Sequence, residues 1–190
     1  MLSSLSMQAG TSRPWLLCVD LQREFTAPNR PLCAQDADGI VDVCKTVLNR
    51  ARRADWRVAH IHTRRLGALF GKSSVFTRPI VGLEPWSSEP LYFRSGLSIF
   101  SSEEVLALVQ GAQNSDFHVI GFSAGGSCLA TIFSGFDLGI HLTLVDDAIG
   151  ASGVGAATLE GIAEITAPLC ATIGSADLIR YMERAHAEDR

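Results

Sequence analysis

Short, almost wholly apolar runs alternate along this chain with longer amphipathic segments, and that alternation constrains its fold more than any other feature. Trp15 to Val19 (WLLCV), Arg57 to Thr63 (RVAHIHT), Leu91 to Arg94, Phe117 to Phe122 (FHVIGF), His141 to Val145 (HLTLV) and a stretch near Ala171 to Ile173 read as strands. Between Asp36 and Ala54, the apolar residues Ile40, Val41, Val43, Cys44, Val47 and Leu48 follow a helical period. Ser101 and Ser102 precede a helix that carries Glu103 and Glu104 in its first turn. A helical segment runs from Ser127 to about Leu138, with Gly139 as its stop. Further helices are predicted around Thr158 to Ile165 and from Ala176, while Arg64 to Glu89 is mostly loop. Strands that read as continuous apolar runs and alternate with helices imply a parallel sheet covered on both faces. The expected fold class is therefore α/β, a three-layer sandwich with a mostly parallel, Rossmann-like sheet.

At 190 residues the chain is long enough for one well-buried core and short for two, so residues 1–190 are expected to form one domain, with 1–13 flexible. A net charge of -4 and a pI near 5.7 leave no electrostatic footprint for nucleic acid. Arginines do cluster at Arg50, Arg52, Arg53, Arg64 and Arg65, and most read as solvated charges. The five cysteines are odd in number and lack CxxC spacing, which argues against a disulfide framework or a Cys-rich zinc site and suits a reducing compartment. The first thirteen residues show no basic start followed by an apolar run, so no secretory leader is expected. No stretch approaches the ~20 apolar residues that cross a bilayer. A cytoplasmic protein with no membrane partner is the expectation.

In an open parallel sheet, ligands bind beyond the carboxyl ends of the strands. The residues there are Asp20, Thr63 to Arg65, Arg94, Ser123 to Ser127, and Asp146 with Asp147. Each has a plain structural reading as well as a chemical one. Asp20 can be a turn residue, Arg94 one half of a structural ion pair, and Ser127 the N-cap of the helix it opens. The run GFSAGGSCLAT is a strand end, a small-residue turn and a helix start, whose free backbone N–H groups can hold an oxyanion or a carboxylate. His60 and His62 alternate on a strand and share a face, but two histidines alone do not complete a metal site. They read as buried and hydrogen-bonded, His118 as strand packing, and Asp146 with Asp147 as structural.

The order and spacing of these pieces resemble the isochorismatase-like superfamily of cysteine hydrolases over nearly the whole chain. LLCVDLQREF is similar to the first signature, and the family's catalytic aspartate falls on Asp20. GLEPWSSEPLYFRSGLSIF resembles the middle signature: the family's lysine falls on Arg94, with Ser98 and Phe100 matching the positions that follow. GFSAGGSCLAT…GFDLG…LTLVDDA resembles the third, and places the family's nucleophilic cysteine on Ser127, not on Cys128. Isochorismatases proper lack that cysteine, and Ala124, Ser127, Cys128 and Leu129 are similar to their pattern, although those enzymes keep the lysine. The resemblance also implies a cis peptide between Phe122 and Ser123 and an oxyanion site around Phe122, Ser123 and Ser127. The zinc motif of the related nicotinamidases would fall near Arg65 to Gly67 and is absent. No metal and no cofactor are expected, and the expected assembly is a homo-oligomer.

Physical chemistry then sets the expected mechanism. A thiol at a helix N-terminus beside a cation ionises near neutrality, whereas a serine hydroxyl needs a strong base, so Ser127 is expected to bind substrate or position water. Arg94 keeps its proton and grips carboxylates. The first expectation is a hydrolase of a small, anionic metabolite, with Asp20 as acid/base and Arg94 as an electrostatic clamp. The alternatives are an amide or carbamoyl C–N hydrolase, and a non-catalytic chain that binds a small carboxylate.

Overall fold

The structure, a computed structural model, describes residues 13–65, 70–71, 74–112, 114–152 and 156–188. Six strands form one sheet: β1 (Trp15–Val19), β2 (Arg57–Thr63), β3 (Leu91–Arg94), β4 (Phe117–Phe122), β5 (Leu142–Gly150) and β6 (Ala171–Ile173). Their order is β3-β2-β1-β4-β5-β6, and every neighbouring pair is parallel. The fold is α/β. Among the described residues, no helix is long and apolar enough to cross a membrane. The expected flexibility of 1–13 falls, apart from Arg13, outside the described residues.

Alternation along the strands divides the core in two. Leu16, Cys18, Val58 and Ile120 meet α1 (Ala37–Arg53) and α5 (Ser175–Glu188) through Cys44, Val47, Leu48, Leu178 and Met182. On the other face, Leu17, Val19, Ala59, Ile61 and Val119 meet α2 (Glu103–Gly111) and α3 (Leu129–Asp137) through Val105, Val109 and Ile132. Ile162 of α4 (Ala156–Thr166) packs at the margin of that second cluster. Each fully buried Leu or Ile contributes roughly 1.5–3 kcal/mol, so both faces of the sheet are strongly held.

Strand order reverses between β1 and β4, so the chain leaves these adjacent strands in opposite directions and opens a crevice between their carboxyl ends. Close approach of the two strands depends on one glycine. Gly121 has φ 138, and a Cβ there would lie 1.8 Å from the Val19 carbonyl oxygen.

Two boundaries differ from the sequence reading. β5 runs past Val145 to Gly150, because its pairing with β4 shifts from Val119↔Leu144 to Gly121↔Ile149. Asp146 and Asp147 lie exposed within that irregularity and do not close the strand. Asp147 serves as a capping group, taking the Ser175 N–H at 2.8 Å and the Ser175 hydroxyl at 2.6 Å at the start of α5. The helix expected from Ser127 begins instead as a wide π-helical turn, Ala124–Cys128, before α3. Its Cys128 N–H reaches back to the Ser123 carbonyl at 3.1 Å, leaving room inside the turn for the Ser123 side chain.

Candidate active site

Asp20 leaves β1 in the left-handed region, at φ 55. Aspartate is among the few non-glycine residues that enter it readily. The residue continues the ladder through its N–H to the Ile61 carbonyl at 2.9 Å, then turns its side chain into the crevice. There it is fully buried, and so are Arg94 and Ser127, at 2% and 3% exposure. A buried charge must be paired and hydrogen-bonded, and Asp20 is both.

Its carboxylate accepts four hydrogen bonds from three other residues: Thr63 N–H at 3.0 Å and Thr63 hydroxyl at 2.8 Å on Oδ1, Ser127 hydroxyl at 2.8 Å and Arg94 Nη2 on Oδ2. Arg94 Nη2 also donates to the Ser127 hydroxyl oxygen, and Nη1 to the Gly96 carbonyl. The structure thus brings Asp20, Arg94 and Ser127, far apart in sequence, into direct mutual contact. Thr63 and Arg94 face each other in the β2–β3 register, which sets both at one level above the sheet.

Two residues without an assigned role in the sequence reading complete the arrangement. Gln22 brackets the Thr63 peptide: its Oε1 accepts the Thr63 N–H at 2.9 Å, and its Nε2 donates to the Thr63 carbonyl at 3.1 Å and the Thr77 carbonyl at 3.0 Å. Thr63 in turn fixes Oδ1 of Asp20. The available signal was the position of Thr63 at a strand end and of Gln22 two residues after Asp20.

The turn after β4 departs from expectation. Among the described residues there is no cis peptide, and the chain reverses through Ser123 at φ 71 and ψ 53. The left-handed residue supplies the reversal that the resemblance had placed on the peptide bond. Ser123 hydroxyl accepts the Ser127 N–H at 3.2 Å, so that N–H meets a substrate oxygen only when this bond yields. Phe122 is fully buried and stacks on Phe25, with ring centroids 5.8 Å apart; its carbonyl accepts from the Cys128 thiol at 3.5 Å.

The four buried thiols are poorly suited to nucleophilic work. Burial, reinforced by the neighbouring Asp20 charge, pushes Cys128 up to about 12. Burial likewise raises Cys18, Cys44 and Cys170. His62 is pushed down to about 3, by burial first and then by the charges of His60, Arg64 and Arg94. His60 is lowered by burial in spite of Glu89, whose Oε2 lies 3.1 Å from its Nε2. Burial takes His118 down to about 4, where it packs on Trp56. No group of three or more His, Cys, Asp or Glu that could hold a metal forms among the described residues; positions 66 and 67 of the zinc-motif comparison lie outside them. Arg52 is not solvated: its guanidinium is buried against Glu89.

An aspartate held by an arginine and a helix-start serine thus lies in the crevice of a doubly wound α/β sheet. The isochorismatase domain profile matches residues 14–177. The chain belongs to the isochorismatase family of hydrolases. No curated protein matches the sequence. Similar solved structures include a cysteine hydrolase from Pseudomonas syringae pv. phaseolicola 1448A, at TM-score 0.82 and 20% identity over 97% of this chain and 100% of that one. An isochorismatase from Pseudomonas putida KT2440 is similar at TM-score 0.77 and 22% identity, covering 87% of this chain and 89% of that one. N-carbamoylsarcosine amidase from Thermoplasma acidophilum is similar at TM-score 0.70 and 16% identity, covering 86% and 97%. At these identities the likeness is one of fold.

Proposed function

We propose that this chain hydrolyses a small anionic metabolite, with Asp20 as the acid/base, Arg94 as the clamp that holds it, and Ser127 as a water- or substrate-positioning hydroxyl. The observation that carries this reading is the shared Oδ2 of Asp20, which accepts from both Ser127, at 2.8 Å, and Arg94. A buried carboxylate in that setting is pre-aimed at whatever donates a proton where Ser127 now sits. Asp20 would take a proton from water, the hydroxide would add to the electrophilic carbon, and the proton would pass to the leaving group. Arg94 keeps its own proton throughout and offsets the charge in a site shielded from water. Thr63, and Gln22 behind it, are positioning residues that fix the other carboxylate oxygen.

Arg64 has no carboxylate partner among the described residues, and with Arg94, Ser95, Glu103 and Glu104 it lines a cleft of about 440 Å³, whose charge is therefore mixed.

A second reading, an amide or carbamoyl C–N hydrolase, is favoured by one feature. Every hydrogen-bond partner of the Asp20 carboxylate is a donor. Such a group serves as a base toward a carbonyl substrate more readily than as the acid that a vinyl ether requires. A panel of isochorismate, nicotinamide, carbamoyl compounds and simple esters separates the readings. Ammonia release that disappears in Asp20→Asn supports the C–N reading, and pyruvate release from isochorismate supports vinyl-ether hydrolysis. Saturable binding with no turnover across the panel would remove the enzymatic reading altogether.

A further inference from the structure

At the opposite, amino-terminal edge of the sheet lies a cavity of about 320 Å³, lined by all three of the chain's tryptophans, Trp15, Trp56 and Trp86. Its volume falls at the lower end of the roughly 300–1,000 Å³ of small-molecule sites. Trp15 opens β1 and Asp20 follows its end, so the cavity is about 16 Å from the Asp20 site along the strand.

The charges around the cavity do not cancel completely. Arg13 pairs with Asp55 at 2.9 Å, and Arg52 with Glu89 at 2.7 Å. The Glu89 carboxylate has little acceptor capacity left, since it also takes the Trp86 N–H at 2.9 Å and contacts His60 at 3.1 Å. The face of Trp86 is used from one side by the Arg52 guanidinium, 4.3 Å from its ring centroid. Arg57, also in the lining, has no carboxylate partner among the described residues; its guanidinium lies 5.5 Å from the Trp15 ring centroid. Trp15 Nε1 is a buried donor without a partner, an unusual state for an indole N–H.

One lining cation, Arg57, is therefore left without a carboxylate, beside the exposed Trp86 and the apolar Val58 and Pro90. We propose that this cavity binds a small planar aromatic carboxylate, its ring against the exposed side of Trp86 and its anion on Arg57. Flat faces recognise a flat ring, and a charge-assisted pair with Arg57 fixes the carboxylate end. The site is independent of the hydrolytic reading.

The three indole N–H resonances of the full-length, 15N-labelled protein report on this cavity directly, and Trp→Phe variants assign them. Benzoate should shift them saturably, the Trp86 signal most, because the bound ring lies against that indole. Benzamide, of similar shape but uncharged, should bind about tenfold more weakly, and Arg57→Gln should weaken benzoate by a similar factor. Asp20→Asn should leave benzoate binding unchanged, which places the ligand away from the Asp20 site. The proposal is overturned if roughly 10 mM benzoate moves none of the three signals, well above the millimolar affinity such a fragment needs. Equal affinity for benzamide, unchanged benzoate affinity in Arg57→Gln, or loss of binding in Asp20→Asn would overturn it equally. Because Arg57 is exposed, its substitution should leave the fold intact; Trp86→Phe, also at an exposed position, provides a second variant, with a shifted dissociation constant expected.

Discussion

Each end of the sheet holds a buried arginine–carboxylate pair, and the two differ in what remains available. At the carboxyl edge, Asp20 and Arg94 share their oxygen with the Ser127 hydroxyl, and two residues in the strained left-handed region, Asp20 at φ 55 and Ser123 at φ 71, hold the turns around them. At the amino edge, Glu89 is consumed by Arg52, His60 and the Trp86 N–H. Burial works against the ionised Glu89, but its hydrogen bonds to Arg52 and Trp86 and the Arg52 charge outweigh it and lower its pKa from the usual value. Ion pairing alone thus does not mark a reactive site. A hydroxyl on the shared oxygen distinguishes the Asp20 end, whereas left-handed backbone does not, since Asp55 at the amino edge has φ 57.

The largest effect should come from Asp20→Asn, which should cost turnover the ~10²–10⁴-fold typical of a general acid/base while the far-UV circular dichroism stays native. Its counterpart at the other edge, Arg52→Met, should act on stability instead. Breaking a buried pair typically costs about 3–5 kcal/mol, so the urea midpoint should drop sharply with turnover per folded molecule unchanged. If Arg52→Met reduces turnover as severely as Asp20→Asn, the contrast between the two ends fails.

Removing one hydrogen bond should matter less. Thr63→Val keeps the shape but takes the hydroxyl from Asp20 Oδ1, and about a tenfold fall in kcat with little change in KM is expected, at ~1.5 kcal/mol for a bond to a charged group. Thr63→Ser should recover most of it. A fall in stability with no change in kcat would assign Thr63 to structure alone.

Acid sensitivity should track the buried histidines of β2, His60 and His62. His62, at about 3 in the fold against 6.5 unfolded, takes up its proton first in the unfolded chain. Stability is therefore fully present above pH 6.5 and declines as pH falls from there toward about 3. The lowered His60 acts in the same direction from 6.5 downward, and the lowered Glu89 adds its loss below 4.5. His62→Gln should lessen the fall of the urea midpoint between those limits, with His60, His118 and Glu89 supplying what remains. The smallest effect concerns Cys128, whose buried thiol should resist alkylation in the native protein; rapid stoichiometric labelling would move the nucleophile position onto it.

The strands were legible because Leu16 to Val19 and Phe117 to Phe122 are buried on both faces and so read as continuous apolar runs. The end of β5 was not, since Asp146 and Asp147 look like a stop and only pairing with β4 carries the strand past them. Strand-end position sufficed to single out Asp20, Arg94 and Ser127 as candidates. The bracket of Gln22 around Thr63 depends on the left-handed turn at Asp20, which no local pattern announces. Arg52 looked solvated in an arginine-rich stretch, and its burial follows from Glu89, thirty-seven residues away.

The most direct test compares Ser127→Ala with Asp20→Asn on the same substrate, with binding measured separately. If Asp20 activates water and Ser127 only positions it, Ser127→Ala keeps measurable turnover while Asp20→Asn loses the ~10²–10⁴-fold expected of an acid/base. If Ser127→Ala is as inactive as Asp20→Asn while substrate still binds to both, the serine is the nucleophile and the non-covalent mechanism is wrong.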